Sequence, residues 1–124
     1  MRMIAGCLAV ALVGATVVGS LSGAVAAPQE EPENSIKDVM KKAHKDGLLK
    51  KVMSGDASDD DKKMLLDLYI DMLEGVPEKG DRGEWIMASG PSVIAAGKVV
   101  VGREGALEEL KTATNCKNCH DKFK

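Results

Sequence analysis

Beyond residue 34 the apolar residues recur every three to four positions, the spacing of helices that turn one face inward. Ile36, Val39, Met40, Ala43, Gly47, Leu48 and Val52 form the first stripe, and Lys37, Lys41, Lys42, Lys45, Lys50 and Lys51 cover the other side. Ser35, with Asp38 three residues on, makes a capping box, so the pattern predicts a first helix over 36–53. Gly55 and Asp56 break the chain. Ser58 with Asp61 then caps a second helix, which carries Met64, Leu65, Leu68, Tyr69, Met72 and Leu73 before Gly75 and Pro77 stop it. After a loop over 78–83, a third helix is expected over 84–101, with Trp85, Ala88, Ser92, Ala96 and Val99 facing inward. Gly90-Pro91 either kinks this helix or delays its start to Pro91. The Val99–Val101 run favours strand locally, but a lone strand has no partner. A fourth helix begins after Gly102 and Gly105 and carries Ala106, Leu107, Leu110, Ala113 and Thr114 into the C-terminal tail. Four helices with short connections imply an all-α domain over 35–124, an antiparallel four-helix bundle.

The pattern before residue 35 is different. A short basic start, Met1-Arg2-Met3, leads into an apolar run from Ile4 to Val25, and Ala24-Val25-Ala26 supplies small residues at the spacing of a signal-peptidase site. Residues 1–26 therefore read as a signal peptide removed after Ala26, and Pro- and Glu-rich 27–34 as a flexible leader. An uncleaved membrane anchor is the alternative, against which stand the glycines and serines in the run. Cys7 sits in an Ile4-Ala5-Gly6-Cys7 stretch like a lipoprotein box, but most of the apolar core lies beyond it, so it leaves with the signal. The mature chain then has two cysteines and no membrane insertion.

Charge and composition narrow the partners. Removing Arg2 takes the positive count from 17 to 16 against 19 acids, about −3, which argues against nucleic acid. One Tyr, one Trp and one Phe leave a thin core, which a large apolar cofactor would thicken.

That cofactor has a signature. Cys116-Lys117-Asn118-Cys119-His120 is the C-x-x-C-H of covalent haem c attachment, in which the two thiols bond the porphyrin vinyl groups and the histidine takes one axial position on the iron. On a helix, positions i, i+3 and i+4 share a face, so all three side chains can reach one flat ligand. A thioredoxin-like dithiol would need a preceding strand pattern. A zinc-binding structural bundle would need more ligands than the one other histidine, His44, supplies. Covalent haem attachment of this kind happens outside the cytoplasm, which agrees with the export signal and a periplasmic location.

The tail from Cys116 to Lys124, with an acid, an aromatic and a base after the histidine, resembles the C-terminal helix of the class II c-type cytochromes, the cytochrome c-prime and cytochrome c-556 group. Val39-Met40-Lys41-Lys42-Ala43 resembles the segment in which that group presents its distal residue to the iron. The resemblance spans 36–124, strong at the tail and weak in the middle, and lacks the arginine the family often carries one turn before the distal residue. It implies a four-helix bundle with one haem on the last helix, and leaves open whether the first two helices pair into the homodimer common in the family. The sixth iron position stays open between three states. Met40 would give a six-coordinate electron carrier, His44 a bis-imidazole carrier of lower potential, and neither would leave a five-coordinate pocket for NO or CO. Met40 also reads as ordinary core filling, as do Met53, Met64, Met72 and Met87, with Met87 an outside alternative as ligand. Lys111, Lys117, Lys122 and Lys124, with Lys41, Lys42 and Lys45, would form a basic rim able to steer an acidic redox partner, or simply two solvated faces. No acid–base pair or activated nucleophile marks an enzyme. The expected function is electron transfer, with gas binding as the alternative.

Overall fold

The computed structural model describes residues 31–124, so the signal-peptide reading of 1–26 lies outside the described residues. All regular structure in it is helical. The elements are α1 (Ile36–Val39), a wide π-helical turn (Met40–Lys45), α2 (Leu48–Met53), α3 (Asp59–Glu74), α4 (Arg82–Val100), α5 (Ala106–Ala113) and α6 (Cys116–Phe123). None of the described helices is long and apolar enough to cross a membrane.

Both capping boxes form as their sequences require. Ser35 Oγ accepts from the Asp38 amide at 3.2 Å while the Asp38 carboxylate accepts from the Ser35 amide at 3.1 Å. Ser58 and Asp61 repeat the arrangement at 3.1 and 3.0 Å, with three aspartates on the positive end of α3. The expected leader ends at Asn34, which is buried. Its backbone amide and side-chain Nδ2 both donate to Asp71 Oδ2, at 3.1 and 2.6 Å, and its side-chain Oδ1 accepts from Lys42. The chain is thus fastened to α3 two residues before the first helix begins.

Two of the helices expected as single runs are divided. The first stops at Asp46, whose amide reaches back five residues to the Lys41 carbonyl at 2.8 Å and closes the wide turn. Gly47 then takes the left-handed conformation at φ 87°, which glycine adopts at little cost. The last is divided between α5 and α6. Thr114 Oγ1 bonds the Leu110 carbonyl at 2.7 Å, and Asn115 caps α6 by accepting from the Lys117 amide at 3.1 Å. Short polar side chains that bond nearby backbone end one helix and start the next.

The third expected helix is instead continuous. α4 runs through Gly90 and Pro91 from Arg82, two residues earlier than its expected start, because Asp81 caps it by accepting from the Gly83 and Glu84 amides. Pro91 removes the bond to the Met87 carbonyl, but both residues are exposed, where water can replace it. Val99 and Val100 close the helix rather than starting a strand.

α3 and α4 pack most extensively, and α5 packs on α4. Leu65, Leu68, Tyr69, Met72, Trp85, Ala96, Val99 and Leu110 form the centre of the core with Val39 and Ala43. Of the methionines expected to fill it, Met72 is buried and Met53 packs at its edge, whereas Met64 and Met87 stand in solvent. The phase of the apolar stripe explains the difference: Met64 precedes the buried Leu65, and Met87 lies on the side of α4 away from Trp85.

Candidate functional site

α6 is held in place by contacts at both ends. Phe123 packs edge-on against Trp85, with ring centroids 5.1 Å apart at 77°, and the Trp85 indole N–H donates to the Met72 carbonyl at 3.0 Å. Gly80 faces the Phe123 ring. A Cβ there would lie 2.7 Å from Phe123 Cδ1, and its φ of 91° already disfavours other residues. Lys122 pairs with Glu84 at 2.8 Å, and Lys79 donates to the Lys124 carbonyl at 3.0 Å. At the other end Ser92 Oγ donates to the Ala113 carbonyl at 3.1 Å, just before the chain turns into Cys116.

Between this helix, the first helical segment and α3 lies a cavity of about 490 Å³. That is within the range of small-molecule and cofactor sites. Cys116, Cys119, His120 and Phe123 line it from α6, Ile36, Met40 and His44 from the first segment, and Tyr69 and Met72 from α3. The sequence-expected residues Cys116, Cys119, His120, Met40 and His44 thus share one cavity, although Met40 and His120 are far apart in the chain. Met87 does not line it and is 80% exposed, so the outside alternative for a ligand falls away.

Both cysteines are free thiols, Cys116 exposed and Cys119 half-buried against the core. Burial, then the neighbouring Cys116, raises the Cys119 pKa. Burial, then the neighbouring His120, lowers that of His44, which favours the neutral imidazole with a lone pair to offer. Its Nε2 lies 3.5 Å from the Tyr69 hydroxyl, too long for a strong hydrogen bond, and the two rings are 5.9 Å apart. Tyr69 is fully buried, and that burial, followed by Cys116, raises its pKa far enough to keep it protonated.

Tyr69 is a polar cavity-lining side chain that the sequence did not single out for the site. It reads as one more apolar position of the second helix, and only the fold sets its hydroxyl beside His44. Lys37, Lys45 and Lys124 also line the cavity, whereas Lys41 is paired with Asp46 and Lys42 is bonded to Asn34. The basic rim is therefore only in part free.

The residues present suit a flat, largely apolar cofactor carried by two thiols. Two free cysteines and a histidine on one helix line an apolar chamber, together with the Met40 thioether and the His44 imidazole from the first helical segment. Among the described residues, no three His, Cys, Asp or Glu side chains gather as a metal site, which leaves the zinc alternative without a ligand set there. No protein-family model, curated protein or solved structure matches the chain.

Proposed function

We propose that the protein is a monohaem c-type cytochrome of class II type, an antiparallel four-helix bundle that carries electrons outside the cytoplasm. One observation carries the reading: the C-x-x-C-H segment and the two distal candidates, Met40 and His44, line one cavity of suitable size. Cys116 and Cys119 hold the haem through thioether bonds and His120 is the proximal ligand. The bound group supplies a reversible one-electron couple. Met40 is the favoured distal ligand, because its thioether has no competing partner whereas His44 has the Tyr69 hydroxyl beside it. Apolar walls from Met72, Trp85 and Phe123 keep water from the ligand-bearing side and favour the less charged, reduced state. Redox partner proteins in the periplasm would meet the exposed edge near Cys116 and His120.

A second reading has its own observation. The Tyr69 hydroxyl lies in the cavity with only a long contact to His44, so it can donate to a diatomic ligand if the sixth position is open. That is the gas-binding alternative. Absorption spectra of the reduced protein, with and without carbon monoxide, separate the two. The expected result is a low-spin spectrum that carbon monoxide leaves unchanged, turning high-spin and carbon monoxide-reactive in Met40→Ala but not in His44→Ala. A wild-type spectrum that shifts at once on adding carbon monoxide would replace electron transfer with gas binding.

A further inference from the structure

Asp71 is a carboxylate set among apolar neighbours. It lies near the C-terminal end of α3, 8% exposed, two residues after Tyr69 and one before Met72, both of which line the cavity. A charge so far from water is costly unless hydrogen bonds and an opposite charge offset it. Asp71 accepts from the Asn34 backbone amide and from Asn34 Nδ2, and Asn34 Oδ1 in turn accepts from the Lys42 ammonium. The Asn34 side chain is thereby set with its nitrogen to the anion and its oxygen to the cation, the orientation that satisfies both neighbours. Carboxylate, amide dipole and ammonium stand in line, and each bond polarises the next.

The position of Lys42 gives this strut a use. It belongs to the wide turn over Met40–Lys45, two residues after Met40 and two before His44. Two residues are about half a turn of helix, so Lys42 leaves the segment on the side opposite both. Helical side chains also lean toward the N-terminus, which carries the ammonium back to Asn34. Met40 and His44 therefore line the cavity from the front of the turn while the strut holds its back. Core packing alone holds this turn weakly: Val39 precedes it, and Ala43, the buried residue within it, offers one methyl group.

We propose that Asp71, acting through Asn34 and Lys42, is a positioning residue that sets the phase of the wide turn so that Met40, not His44, stands at the iron. The inference rests on the haem reading above and names what selects its distal ligand. With the strut cut, the slack in the turn lets the imidazole exchange for the thioether, since both are good ligands of haem iron.

Redox titration and absorption spectra of the haem-loaded protein test this, with the wild type beside Lys42→Ala, Asn34→Ala and Lys42→Arg. Lys42 is exposed, so its truncation cuts the strut without opening the core. Lys42→Ala is expected to remain low-spin with a midpoint shifted to lower potential, as His44 replaces Met40. Asn34→Ala should shift it the same way and also melt earlier, because Asp71 loses one of its bonds. Lys42→Arg, which keeps a cation and its donors, should restore the wild-type midpoint. Adding His44→Ala to Lys42→Ala separates ligand exchange from lost charge: the midpoint should return toward that of the wild type, and one that stays low would overturn the proposal. A strut that only stabilises the fold would lower the melting temperature and leave the midpoint in place, which would overturn it as well. The haem reading beneath it fails differently, through carbon monoxide binding at once to the reduced wild type or a spectrum unchanged by Met40→Ala, and the proposal would then fall with it.

Discussion

Tyr69 shows how much of the site rests on one atom. Its ring is core and its hydroxyl makes a single long contact, 3.5 Å to His44 Nε2, through which it can bias what reaches for the iron. If Tyr69 engages His44, it keeps that imidazole from competing with Met40. Tyr69→Phe should then release His44 and lower the reduction potential, because bis-imidazole ligation lies below His/Met ligation. A redox titration that gives the same midpoint for both proteins would show that the hydroxyl has no such role. At this scale the sequence was generous where chemistry is local: C-x-x-C-H announces itself by spacing alone. It was silent on Tyr69, because a residue that serves through a neighbour 25 positions away leaves no local pattern. It also placed Met64 and Met87 in the core, since apolar character was visible and phase was not weighed against the buried residues beside them.

Among the elements, the helix beginnings were legible and several of the ends were not. Ser35/Asp38 and Ser58/Asp61 have their caps written into four residues. The break at Gly47 was hidden because glycine fell in phase with the apolar stripe, and the break at Thr114-Asn115 because two small polar residues fit either a helix or a cap. The α3 cap has a titratable consequence. Bonding to Lys51, at 2.7 Å, and to Ser58 lowers the Asp61 pKa to about 2 from its ordinary 3.8. An acid whose folded pKa is depressed supports the fold fully above its unfolded value and loses that support as pH falls through the folded one. Stability should therefore decline between about pH 4 and pH 2, and Asp61→Asn should flatten that decline while lowering stability near neutrality. Urea midpoints at several acidic pH values would check it, and an unchanged slope in the variant would assign the acid sensitivity elsewhere.

For the whole molecule, the all-helical class followed from periodicity and the absence of any paired strand pattern. The cavity could not have been read that way, because its walls come from segments that meet only in three dimensions. In a domain with so few aromatic side chains, a flat apolar group held in the chamber of about 490 Å³ would add a large share of the buried apolar contact. Cys116→Ser with Cys119→Ser should abolish pigment that survives denaturing electrophoresis, and lower the melting temperature by roughly 10 °C or more, as a loss of 2 kcal/mol does in a domain this small. Colour retained by the denatured double variant would refute thioether attachment.

The wide turn over Met40–Lys45 acts as a spare link in the chain. Upstream, Asn34 and the Ser35 cap fix the start of the segment; downstream, Gly47 and α2 begin afresh. The slack absorbed between these two anchors belongs to the stretch that carries both Met40 and His44. Losing one residue there would let an ordinary helix close over the gap and leave the rest of the bundle where it is. What would change is which side chain points across the chamber. A lineage could therefore exchange one chemistry for another here by altering its length, without substituting either residue.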